Sequence, residues 1–150
     1  MNTITTSAPK RLIVGISGAS GIVYGVRILQ ALQGSDIETH LVMSDSAKMT
    51  LVTEMDMSIA DVEALAHTVH NAKNIGATIS SGSFKTMGMV VAPCSIRSLS
   101  EIAYGMTTSL LTRAADVVLK ERRRLVLMVH ESPLYAGHLK AMTQATENGA

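Results

Sequence analysis

Cysteine occurs once in the 150 residues, tryptophan not at all, phenylalanine once and tyrosine three times. The lone Cys94 excludes an internal disulfide and a cysteine-based zinc site, and it fits a reducing compartment. Aromatic residues at 3% and a formal net charge of +1 give neither the stacking platforms nor the positive field that nucleic-acid binding needs. No apolar run approaches the length of a membrane-spanning helix, and residues 1–10 are polar and threonine-rich with no apolar signal-like core. The expectation is a cytoplasmic protein that binds neither nucleic acid nor membrane. Residues 1–10 read as a flexible N-terminal segment, ahead of a single domain over 11–150.

What is present is a hydrophobic content of 47% against 17% charged residues, enough for one globular domain with a real core. Ten methionines suit adaptable core filling. The stretch Arg11-Leu12-Ile13-Val14-Gly15-Ile16-Ser17-Gly18-Ala19-Ser20-Gly21 runs from an apolar strand into a tight turn and opens a helix. The unsatisfied N–H groups and the positive dipole end of such a helix favour an anion, so phosphate is the ligand to expect there. Gly18 and Gly21 let a phosphate approach the backbone. The spacing G-x-x-G-x-x-G is neither the dinucleotide fingerprint nor a Walker A loop.

Val23, Val26, Leu29 and Leu32 continue at helical spacing, with Gly34 as a stop. Residues 37–43 read as a second strand that ends at Ser44-Asp45-Ser46. Ser44 stands nearest the strand end, where a nicotinamide-binding fold would place an acid, and this favours a mononucleotide. A helix over 48–54 follows. Ser58 then resembles the cap of a short helix reaching His67, which could share a face with His70; two solvated histidines are the simpler account. Residues 74–86 form a loop centred on Ser80-Ser81-Gly82-Ser83. A buried strand over 87–93 ends in Pro93-Cys94-Ser95 before another helix, repeating the first turn, and Cys94 reads as a buried inert thiol.

Residues 109–124 read as a helix with Leu110, Leu111, Ala114, Val117 and Val118 inward and Arg113, Asp116 and Lys120 along one face. An Asp116–Lys120 pair there contributes a few tenths of a kcal/mol. Residues 125–129 are a fourth strand, closed by His130-Glu131-Ser132-Pro133 at the edge where open α/β sheets bind ligands. A last helix covers about 139–147. Strands alternating with helices predict a doubly wound, Rossmann-like parallel sheet in three layers.

These stretches, with Tyr24-Gly25, Phe84 and the run Arg113-Ala114-Ala115-Asp116-Val117-Val118-Leu119-Lys120-Glu121-Arg122-Arg123, resemble the UbiX-type flavin prenyltransferases, long described as Pad-type aromatic acid decarboxylases. The resemblance covers residues 10–150. It implies a flavodoxin-like fold, FMN binding and a homododecamer. It also implies transfer of a dimethylallyl group from dimethylallyl phosphate to N5 and C6 of reduced FMN, giving the prenylated flavin used by a UbiD-type decarboxylase. By position, Gly18, Ala19, Ser20, Ser44 and Ser95 would contact the flavin. Arg113 and Lys120, with His130, would hold the prenyl phosphate, and Ser20, Glu54 and Glu131 would be catalytic. No metal is implied. Fixed cations suit a departing phosphate, and a carboxylate suits the proton lost from the flavin ring.

The chain departs from the family pattern at two places. His130 stands where most members carry arginine, an imidazole in place of a permanently charged guanidinium. After Ala150 the family continues into a further strand and a Pro-Ala-Phe-Tyr-like segment that supplies a tyrosine and an arginine. Flavin binding is therefore expected to survive better in residues 1–150 than prenyl transfer. Two alternatives remain at this point. One is a non-catalytic FMN-binding accessory subunit of an aromatic acid decarboxylase. The other is an FMN-dependent cysteine decarboxylase, whose Pro-Ala-Ser-Ala-Asn-Thr-like motif does not match Pro93-Cys94-Ser95-Ile96-Arg97-Ser98.

Overall fold

The computed structural model describes residues 7–150. Of the segment expected to be flexible, residues 1–6 lie outside the described residues, and Lys10 is already the first residue of strand β1 (Lys10–Ile16). Helix α1 (Ile22–Ala31) leads to β2 (Ile37–Met43), and α2 (Asp45–Glu54) and α3 (Ile59–Glu63) lead to β3 (Thr68–His70). After a 3₁₀ turn at Thr78–Ser80 come β4 (Gly88–Cys94), α4 (Ile96–Ala103), α5 (Leu110–Lys120), β5 (Arg124–Val129) and α6 (Ala136–Glu147).

All strand pairs are parallel, in the order β3-β2-β1-β4-β5. The doubly wound sheet expected from the alternation is present. Parallel strands covered on both faces carry apolar residues on both, and β1 does so. Ile13 joins a core with Val42, Met89, Leu99, Leu110, Leu111 and Val118 beneath α4, α5 and α6. Val14 and Ile16 join the opposite core with Ile22, Val26, Leu29, Leu41 and Leu51 beneath α1 and α2. This makes three layers. The strand order reverses between β1 and β4, and the crevice outside their C-terminal ends is where such sheets take ligands.

Several local expectations change. Ser58 does cap a helix, with Asp61 closing a capping box, but α3 ends at Glu63. His67 and His70 therefore share no helix face. His67 lies in the turn, where its Nδ1 accepts from the Thr39 N–H at 3.0 Å, and His70 sits in β3 with Nε2 2.9 Å from His40 Nδ1. The strand at 124–129 is accordingly the fifth. The helix expected over 109–124 stops at Lys120, because Arg122 takes a positive φ of 56° and turns the chain into β5. On that helix Asp116 pairs with Arg113 at 2.9 Å, and Lys120 pairs with Glu121 at 2.8 Å, replacing the expected Asp116–Lys120 pair.

Candidate functional site at the strand-order reversal

Two adjoining cavities of about 350 Å³ each open at this crevice, and Gly18 and Ser95 line both. Gly18 follows β1, and Ser95 follows β4. Three helices begin around the first cavity, each capped by a serine that lines it or borders it. Ser44 Oγ accepts from the Ala47 N–H at 3.0 Å, Ser95 Oγ accepts from the Ser98 N–H at 3.1 Å, and Ser109 caps α5. Lys73 and Arg97 add positive charge, and Asp45 and Glu101 add negative charge. Converging helix N-termini beside a lysine and an arginine suit a phosphate-bearing ligand. Ala19, Ser20, His130 and Glu131 line the second cavity.

Gly18 is required by packing. A Cβ there would run into Ser46 at the start of α2. Gly21 has φ of 101°, which turns the chain into α1. The first N–H groups of that helix are not left for a ligand, however. Glu54 Oε2 accepts from the N–H of Gly21 at 3.1 Å and of Ile22 at 3.2 Å. The anion expected at this helix start is supplied by the protein itself, from the last residue of α2.

The chain thus brings together Gly18, Ala19, Ser20, Ser95, His130 and Glu131, with Ser44 on the neighbouring side and Glu54 behind the glycine turn. Ser20, His130 and Glu131 are exposed in the single chain. Arg113 and Lys120 line neither cavity. α5 starts at the crevice and runs away from it, so at 1.5 Å per residue Lys120 stands about 16 Å along the axis from Ser109. Cys94 is buried, and desolvation pushes its thiol up to about 12, which leaves it protonated and inert as expected. Among the described residues no group of three or more His, Cys, Asp or Glu is arranged to hold a metal ion.

Sequence reading passed over Lys73, Arg97, Ser98 and Ser109, which line the first cavity, and Ser17 beneath it. The serine immediately before each helix is the signal available for the caps. No local signal marks Lys73, which follows a short edge strand.

Residues 2–148 match the Flavoprotein family. Flavin prenyltransferase UbiX of Escherichia coli K12 is 64% identical over 142 residues, which cover 94% of this chain and 75% of that protein. Among solved structures, AnUbiX (PadA1) in complex with FMN and dimethylallyl pyrophosphate superposes with a TM-score of 0.93 at 45% identity, covering 95% of this chain and 76% of that one. A dodecameric FMN-dependent Ubix-like decarboxylase from Escherichia coli O157:H7 gives a TM-score of 0.91 at 51% identity, covering 93% and 76%. With the crevice where the strand order reverses and these levels of identity, the chain belongs to the UbiX-type flavin prenyltransferase family of flavoproteins.

Proposed function

We propose that this protein joins a dimethylallyl group from dimethylallyl phosphate to N5 and C6 of reduced FMN, and that the product serves a UbiD-type decarboxylase. The observation that carries this reading is the serine-capped crevice bounded by Gly18 and Ser95, in a chain 64% identical to a flavin prenyltransferase. In this reading Gly18, Ala19, Ser20, Ser44 and Ser95 hold FMN, whose phosphate suits the helix N-termini beside Lys73 and Arg97. When bound, the reduced flavin supplies the nucleophilic ring positions that take the prenyl group.

The chain's own groups do the rest. His130 and Glu131 project into the second cavity beside Ser20. There Glu131, with Ser20, would accept and relay the proton lost as the flavin ring is closed. Glu54 would act mainly by anchoring the loop that carries Ser20, since its carboxylate is committed to two backbone N–H groups. Arg113 and Lys120 would stabilise the departing phosphate from the α5 surface of a neighbouring subunit. That neither residue lines the chain's own crevice supports that arrangement, as does the dodecameric assembly of the structural relative.

The test is anaerobic incubation of the purified protein with reduced FMN and dimethylallyl phosphate, followed by mass spectrometry of the released flavin. A flavin heavier by one prenyl unit is the expected product. FMN recovered unchanged from a protein that binds it would reject prenyl transfer and leave a flavin carrier.

A further inference from the structure

The backbone pairing of β1 with β4 ends at Gly15↔Val91, and beyond it the register between β4 and β5 shifts. The strand ends are nonetheless joined across the crevice by a row of lateral hydrogen bonds. The Ser44 N–H donates to Ile16 O at 3.0 Å, the Ser17 N–H donates to Pro93 O at 3.2 Å, and the His130 N–H donates to Cys94 O at 3.2 Å. In the middle of this row a side chain takes over from the backbone. Ser17 Oγ donates to Pro93 O at 2.9 Å and accepts from the Ser95 N–H at 2.7 Å, and the residue is only 1% exposed.

Both ends of this bridge carry the site. Ser17 precedes Gly18, and its partner N–H belongs to Ser95, the two residues common to both cavities. Ser95 Oγ is itself engaged with Ser98, so the position of the Ser95 backbone fixes where α4 begins. A buried hydroxyl with one proton and an accepted N–H is aligned in both directions and holds the two turns at one spacing. We infer that Ser17 is a positioning residue, which sets the distance between the β1 and β4 halves of the flavin site without touching the flavin. The inference rests on the FMN-binding reading above.

Ser17→Ala leaves the Ser95 N–H without its acceptor and Pro93 O short of one donor. Ser17→Thr keeps the hydroxyl, and Ser17→Cys keeps the size with a much weaker hydrogen-bonding group. The measurement is the FMN dissociation constant of each variant by flavin fluorescence quenching, with the visible spectrum of the bound flavin and the KM for dimethylallyl phosphate. Losing the bridge is expected to weaken FMN about tenfold in Ala and Cys and to shift the bound-flavin spectrum. Thr should return most of the affinity, and the KM for the prenyl phosphate should move less than about twofold in the folded variants. If Ala does not fold, Cys carries the same comparison. Wild-type affinity in Cys or Ala overturns the inference while leaving FMN binding intact. Wild-type protein that fails to bind FMN overturns both.

Discussion

The carboxylate of Glu54, at the end of α2, accepts a hydrogen bond from the backbone N–H of Gly21 at 3.1 Å, across 33 residues of sequence. With the bond from Ile22, it caps α1 from outside the helix and ties the glycine turn to α2. Glu54→Ala leaves two helix-terminal N–H groups without this acceptor and removes a negative charge from the positive dipole end. The expected cost is about 1 kcal/mol of stability, measured by denaturant unfolding. Glu54→Gln keeps an acceptor oxygen and should lose less than half of that. Equal stability of Ala and wild type would show that the cap contributes nothing.

On β2, beside the edge strand β3, His40 is buried between Glu38 and His70. His40 Nε2 stands 2.7 Å from Glu38 Oε1, and His40 Nδ1 stands 2.9 Å from His70 Nε2. Burial, and then the neighbouring His40, hold His70 below the ordinary imidazole range. The folded protein therefore prefers neutral His70, while the unfolded chain takes up a proton near pH 6.5. That contribution is complete above this pH and is lost as the pH falls below it. Glu38, held low chiefly by its hydrogen bond from His40, acts in the same direction in a lower window, below its ordinary value near 4.5. The denaturant midpoint should thus drop between pH 7.5 and pH 5.5 in wild type and drop less in His70→Gln. Parallel pH profiles for the two proteins would refute the assignment to His70.

Much of this fold is legible in the sequence where a pattern is long or punctuated. The strand expected over 37–43 is β2 to the residue, because an apolar run there is bounded by Gly34 and the Ser44 cap. β3 is not legible: three residues give no period, and the strand is held by tertiary partners such as Thr39, His40 and Val42. The end of α5 is hidden for a related reason, since the left-handed turn falls on Arg122 where glycine would have announced it. At the site, the two strand–turn–helix units can be recognised from glycines, serines and Pro93. That they stand side by side follows only from the strand order. The Ser17 bridge and the Glu54 cap join residues 78 and 33 positions apart and leave no local trace.

Gly25 is a packing requirement inside α1. A Cβ at this position would run into Ala92 O on β4 and lie 2.7 Å from the Ile16 side chain. Helix propensity alone predicts that Gly→Ala stabilises a helix by nearly 1 kcal/mol. Here the clash is with a backbone oxygen in the core, and α1 must move away from β4 to relieve it. Gly25→Ala is therefore expected to lower stability by about 1–3 kcal/mol. A raised melting temperature would mean that α1 and β4 have room to separate.

The separation of Lys120 from Glu131 yields the most direct test of a site shared between subunits. Lys120 ends α5 beside Glu121, whereas Glu131 lines the cavity with Ser20 and His130. Lys120→Ala should weaken prenyl transfer by removing a cation from the phosphate, and Glu131→Gln by removing a base, each by about a hundredfold. If one site draws Glu131 from one chain and Lys120 from its neighbour, mixed oligomers assembled from equal amounts of the two variants contain intact sites. Random mixing of chains around a symmetric interface makes about a quarter of the sites intact, so turnover should recover to about a quarter of wild type. If both residues served the site of their own chain, every site in the mixture would carry one lesion. Activity would then stay at the level of the single variants, and the trans arrangement would be rejected.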